Sequence, residues 1–270
     1  NTTGAQNTAV GTYALDANTT ASNNDAFGYR ALTTNTTGTE NTALGRDAMY
    51  ANTTGSYNIA IGYGSLDANT TANYNIAIGN NAMTANTTGA ENVAVGALAL
   101  DANVTGVNNT AIGHQALSAS TNGYNTAVGY NAGLVVSTGQ SNVLLGGYVG
   151  DAITTGSDNT GVGQGALSAT TTASNNTAVG SGSLDANTTG ATNVGVGKDA
   201  LGANTTASEN TAVGAYALDA TTTGGTNTAV GYAALSSNTT AGYNVAVGKA
   251  AMEANTTGSE NVAVGMAALD

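Results

Sequence analysis

The chain of 270 residues contains no cysteine, no proline and no tryptophan, one phenylalanine (Phe27) and one histidine (His114). Without cysteine there is no disulfide and no thiolate metal site. With a single histidine, neither a His/Cys metal cluster nor a Cys–His dyad can be assembled. Basic residues are scarce too: Arg30, Arg46, Lys198 and Lys249 face sixteen acids, for a net charge of −12. Nucleic-acid phosphates need clustered Lys and Arg, so nucleic acid is excluded as a partner, and anionic membrane surfaces are disfavoured. No apolar run approaches the ~18 residues of a spanning helix, so no membrane span is expected. His114 follows Gly113 and reads as a solvated turn residue. The calcium-binding nonapeptide is missing, and isolated carboxylates do not supply the six or more oxygens that Ca²⁺ takes. No phosphate-binding G-x-x-x-x-G-K-[ST] loop is present. The expectation is a non-enzymatic protein with no catalytic residues, no cofactor and no metal.

What the chain does contain is one sentence, repeated. "ANTTGAENVAVGALALD" (85–101) returns as "ANTTGSENVAVGMAALD" (254–270). With the Asn of each N-x-A-x-G as position 0, the copies begin at Asn7, Asn24, Asn41, Asn58, Asn75, Asn92, Asn109, Asn125, Asn142, Asn159, Asn176, Asn193, Asn210, Asn227, Asn244 and Asn261. Successive copies follow a 17-residue period, broken once by a step one residue shorter, from Asn109 to Asn125. The sixteen copies fill residues 1–270 without a linker, which reads as a single continuous repeat array.

Position 1 is Thr, Val or Ile except at Asp25, and position 3 is aliphatic except at Phe27. Position 2 between them is Ala in 13 of 16 copies, an alternation that predicts a short strand. Position 4 is Gly in all sixteen, a bend needing positive φ or close backbone approach. The following A-L-x-A predicts a second short strand, and N-T-T-G a second corner. Recurrent Gly, Asn and Thr disfavour helix. Two strands and two turns per repeat make one coil of a parallel β-solenoid, an all-β fold. Coils stacked at about 4.8 Å align each position with itself. Position 0 becomes a structural column of Asn amides, and position 11 a second, with Asn in eleven places.

In this reading positions 1, 3 and 8 form the core: Val10, Leu15, Leu32, Ile61, Leu66, Ile78, Val95, Leu100, Ile112, Leu117, Val179, Leu184, Val213, Leu218, Val230, Leu235 and Val247. Three sizeable side chains per coil are few against the entropy of ordering the whole coil, which points to help from association. Position 2 then points away from the core. Its Ala residues, Ala9, Ala43, Ala60, Ala77, Ala94, Ala178, Ala212, Ala229, Ala246 and Ala263, make a smooth lateral seam for another chain. Position 9 carries eight acids, and only Glu253 and Asp270 fall in successive coils, as spacing of like charges requires. The 12 Tyr residues scatter over positions 5, 6, 9 and 16 and read as coil-edge covers, some of them adhesive. The N-x-[ST] pattern of N-T-T reads as turn chemistry rather than glycosylation. An irregular section at about 118–156 holds the short step, loses Leu at position 8 (Gly133, Gly150) and places Leu144 at the outward Ala position, which predicts a distortion or a special lateral contact.

N-I-A-I-G (58–62 and 75–79) and N-V-A-V-G (92–96, 244–248 and 261–265) resemble the S-V-A-I-G repeat of trimeric autotransporter adhesin heads. The N-T-T-G corners are similar to repeats of phage tail-fibre-like proteins. The resemblance implies a left-handed β-roll, three chains side by side, and adhesion at a cell surface. The expected function is therefore a structural or adhesive component of an extracellular fibre or cell-surface adhesin, or a tail-fibre shaft. Its expected partners are copies of itself, as homotrimer or end-to-end filament, and a surface receptor or glycan. An ice-binding solenoid is the alternative, since N-T-T supplies Thr columns. Residue 1 is a position 11 Asn and residue 270 a position 9 Asp, with no cap at either end. This predicts a segment of a longer array, or a subunit that stacks end to end.

Overall fold

A computed structural model describes residues 1–270. The chain is an all-β parallel β-solenoid without helix, and its coils keep the 17-residue period of the sequence. It divides into two compact units, Asn1–Thr138 and Gly139–Asp270, so the boundary lies inside the irregular section. The first unit holds β1 (Thr8–Val10), β2 (Asp25–Phe27), β3 (Thr42–Leu44), β4 (Ile59–Ile61), β5 (Ile76–Ile78), β6 (Val93–Val95), β7 (Thr110–Ile112) and β8 (Thr126–Val128). The second holds β9 (Val143–Leu145), β10 (Thr160–Val162), β11 (Thr177–Val179), β12 (Val194–Val196), β13 (Thr211–Val213), β14 (Thr228–Val230), β15 (Val245–Val247) and β16 (Val262–Val264). Within each unit every strand pairs in parallel with the next, position on position, as in Ala60↔Ala77 and Ala212↔Ala229.

Each coil has one strand, not the two expected. Positions 7–10 form turns, although Leu66 N–H still donates to Ala82 O of the next coil at 3.0 Å. The cause is positive φ at alternate residues: position 6 (Arg30, 56°) and position 8 (Leu32, 53°) interrupt the pleat. The position 4 glycines have φ between 128° and 143°. A Cβ on Gly28 would also stand 2.5 Å from the carbonyl oxygen of Gly45, so conformation and close approach both require Gly there.

The expected faces are reversed. Position 2 points inward: Ala43, Ala60, Ala77, Ala94, Ala178, Ala212, Ala229 and Ala246 are fully buried and Ala263 nearly so, while Ala9 is exposed in the first coil. Position 3 points outward: Val10, Ile112, Val213, Val230 and Val247 are exposed and Ile61, Ile78, Val95 and Val179 half-buried. No lateral Ala seam exists. The lumen is too narrow for anything larger at most copies. A Cβ on Gly161, at position 2, would lie 2.7 Å from Val149 Cγ2 and 3.2 Å from Leu167 Cδ1. Position 2 thus packs against positions 7 and 8 across the coil: Ala fits where position 7 is Ala, and where Val149 takes that place Gly161 leaves out even the methyl. Position 8 is core: Leu15, Leu32, Leu66, Leu100, Leu117, Leu184, Leu218 and Leu235 are buried.

Two devices absorb the irregular section. The missing residue of the short coil comes out of the N-T-T-G corner: Asn109 Nδ2 donates to Asn122 O at 2.8 Å, where Asn92 Nδ2 reaches Gly106 O at 2.9 Å. The strand register holds, with Thr110↔Thr126 and Ile112↔Val128. In the second unit Leu144 faces in, not out, and is fully buried. It fills the volume that Gly150 leaves, since a Cβ on Gly150 would be 2.8 Å from Leu144 Cδ2. Large and small have changed places across one coil.

Candidate interaction surface

The Asn columns set the frame on which surface residues sit. The position 0 Asn residues from Asn24 to Asn244 are buried, and Asn7 and Asn261 in the end coils half-buried. Within each unit the Oδ1 of one accepts the backbone N–H of the next at 2.9–3.1 Å. Its Nδ2 donates to the position 14 carbonyl of its own coil, as from Asn58 to Ala72 at 2.8 Å. The column therefore locks strand start, corner and neighbouring coil together. The position 11 Asn residues form a second ladder, as from Asn69 Nδ2 to Asn52 Oδ1 at 2.8 Å. Where it is interrupted, acceptors are left over: Asn103 and Asn204 Oδ1 are buried without a partner, next to Ser120 and Thr221. The buried amides also explain why N-T-T is turn chemistry: from Asn18 to Asn238 these side chains are inside the coil.

Held on this frame, positions 1 and 3 present a flat outer strip in each unit, Thr or aliphatic at position 1 apart from Asp25, and aliphatic at position 3 apart from Phe27. Only Asp25 brings charge into it. Ile59, Ile112, Val128, Val143, Val213 and Val247 are each 37–39% exposed although stacked neighbours cover their flanks. Eight strands at about 4.8 Å make the strip of one unit about 34 Å long.

The Thr columns are chemically unequal. Position 12 hydroxyls donate to backbone carbonyls of the next coil, as from Thr53 Oγ1 to Thr70 O at 2.9 Å, which leaves the exposed position 13 as the open column.

The corner after the strand carries the aromatic residues. Column 5 places Arg46 between Tyr29 and Tyr63, 6.0 and 5.5 Å from their ring centroids. In column 6, Arg30 lies 5.1 Å from the Tyr29 centroid and 4.8 Å from that of Tyr50, and its Nε donates to Asp47 Oδ1 at 2.7 Å. That hydrogen bond raises the pKa of Arg30 above an ordinary guanidinium. Tyr13 meets Tyr29 edge-on at 6.0 Å. Sequence reasoning missed this cluster, yet residues 29, 46 and 63 are successive members of one 17-residue column. Elsewhere Tyr57 stacks on Tyr74 at 4.9 Å, with the Tyr57 hydroxyl pKa pushed up first by Glu40, and exposed His114 stacks on Tyr130 at 5.4 Å. Lys198 Nζ donates to Tyr216 Oη at 2.9 Å, which raises the lysine pKa.

The structure contains no pocket, no group of three metal-ligating side chains and no helix long and apolar enough to cross a membrane. No protein-family model, curated protein or solved structure matches the chain.

Proposed function

We propose that this chain is a structural, non-enzymatic component of an extracellular fibre or cell-surface adhesin, and that it assembles laterally through the aliphatic strip of positions 1 and 3. The exposed strip carries the reading. Contiguous apolar surface on a rigid scaffold marks an interaction face, and the interior of these coils is already filled. This strip takes the place of the Ala seam as the surface for a second and third copy. The adhesin-like motif supports three copies; the same surface serves a tail-fibre shaft.

The test is the mass in solution. At micromolar concentration light scattering should give a multiple of 26.1 kDa, with three the expected number. Ile78→Lys, in the middle of the strip, should return the mass to one chain without lowering secondary structure, because the side chain points out. A wild-type monomer would overturn lateral assembly.

The ice-binding alternative rests on the exposed position 13 Thr column. That column lies at a corner, and its position 12 neighbour spends its hydroxyls on backbone carbonyls. Thermal hysteresis at millimolar concentration would favour it; its absence favours the fibre.

A further inference from the structure

We infer that the Tyr29–Arg46–Tyr63 column is a binding platform for carboxylated saccharides. On a chain of net charge −12, two of the four basic residues stand here on successive coils. They differ in what they have left to offer. Arg30 is the more engaged of the two: its Nε pairs with Asp47 at 2.7 Å between the rings of Tyr29 and Tyr50, and its side chain is 35% exposed. Arg46 gives only its Nε to Asp47 Oδ2, at 3.2 Å, and its side chain is 60% exposed. Its two terminal nitrogens make no hydrogen bond, so the edge that takes a carboxylate in bidentate fashion is open. Asp47, itself 10% exposed in its side chain, neutralises one of the two cations.

The flanking rings supply the second half of the recognition. Tyr29 and Tyr63 are 43% and 47% exposed on either side of the guanidinium. Rings held by a stacked backbone give apolar faces to sugar C–H groups at little cost in side-chain entropy, while the hydroxyls remain wet. An open ridge without a pocket suits an extended polymer lying along the column. One open guanidinium in a strongly acidic protein suits a singly charged carboxylate better than a doubly charged phosphate. The platform gives the adhesive reading a ligand and rests on that reading only for its setting.

Titration with tetragalacturonate, a chain of internal uronates, and with 3′-sialyllactose, which carries one terminal carboxylate, distinguishes the two sources of the group. Binding of either is expected, weakened at least tenfold by Arg46→Gln and by raising salt from 20 to 500 mM, and several-fold by Tyr63→Ala. Arg46→Lys should bind between wild type and Arg46→Gln. Neutral maltotetraose should not bind comparably. Failure of both acidic sugars to bind overturns the proposal. So does equal binding by Arg46→Gln with an unchanged melting temperature, or an acidic tetrapeptide binding as tightly as either sugar. Light scattering on the same samples reports assembly separately, so loss of binding and loss of the fibre reading are told apart.

Discussion

Asn58 is the sharpest place to test the buried amide column. Its Oδ1 accepts the Asn75 backbone N–H at 2.9 Å, and its Nδ2 donates to Ala72 O at 2.8 Å and Asn41 Oδ1 at 3.2 Å. The residue is fully buried. Asn58→Ala orphans the buried Asn75 N–H, worth about 1–3 kcal/mol, and takes from Ala72 O one of its two donors, leaving Asn69 Nδ2 at 3.2 Å. The expected loss is therefore about 2–3 kcal/mol, against less than about 0.5 kcal/mol for the exposed control Thr54→Ala. In a solenoid this loss enters through coil–coil coupling, so melting should broaden and amide exchange at Asn75 should rise first.

Asn58→Asp separates hydrogen bonding from shape. The new oxygen would replace Nδ2 and face two acceptors, so the carboxyl must hold a proton to fit. Its folded pKa is raised above the unfolded value of about 3.9. The folded variant then binds more protons than the unfolded one, and its stability falls as pH rises from about 4. Protonated, the group donates to Ala72 O and resembles Asn. Urea melts between pH 4 and 8, taken as the difference from wild type, should show this variant approaching wild type at the acid end and falling below Asn58→Ala at pH 8. An Asn58→Ala loss no larger than that of Thr54→Ala, or an Asn58→Asp difference flat in pH, refutes the column as the lock between coils.

Leu144→Ala should cost about 2–5 kcal/mol by opening a cavity, and Gly150→Leu about 1–3 kcal/mol or more by overpacking against Leu144 and Ile153; the double variant, measured by chemical denaturation, should recover much of both losses and show strong coupling. Thr221→Asn supplies the amide that Asn204 Oδ1 lacks, and a gain of about 1 kcal/mol in melting experiments is expected. Asp185 and Asp219 have pKa values raised chiefly by burial, with Asp199 adding to both. A raised acid pKa means the folded state binds the extra proton, so stability drops as pH climbs from the ordinary value of 3.8 through the raised one. The pair Asp185→Asn and Asp219→Asn should raise the melting temperature at pH 7 and lose that advantage below pH 4.

The period, the single-residue deletion, the inward Leu of position 8 and the Gly bend are legible in the sequence because stacking forces each position to solve the same problem sixteen times. The direction of the strand's two faces is not. Alternation reports that positions 1 and 3 share a face, and the ordinary expectation sends Val10 and Ile61 inside because they are larger than Ala60. In this fold the lumen already holds two Asn columns and a Leu, so volume overrules hydrophobicity and Ala takes the inside. The second strand is hidden for a different reason. A-L-x-A has the right residues, but Leu at φ of 50–58° is a conformation no propensity scale assigns to it, imposed by the hydrogen bonds of neighbouring coils. The Tyr–Arg column was within reach, since reading down the 17-residue register puts Tyr29, Arg46 and Tyr63 in one line.

Variation among the copies now has a physical meaning. Positions 0, 2, 4 and 8 scarcely vary because each is fixed by the lumen or by a close carbonyl, as the Gly28–Gly45 approach and the Asn58 bonds show. Position 16 faces solvent, position 5 is exposed in most coils, and positions 6 and 9 lie largely half-buried at the coil edge; there the chain places Tyr, Arg, Lys, His, Asp and Glu in different orders along the stack. A change at such a site alters one spot on the surface and leaves the coil spacing untouched. Each unit is thus a ruler on which side chains are written at strand-spacing intervals, and a column of five or six coils specifies a pattern that no single loop could hold rigid. Positions 1 and 3 vary only within Thr, Val, Ile and Leu, apart from Asp25 and Phe27. That narrow choice is what a face needs if copies of one chain are to meet it at every coil, and the wider choice at the corners is what a face needs if different coils are to meet different chemistry. On the function proposed above, assembly and recognition would fall to adjacent columns of the same 17-residue unit.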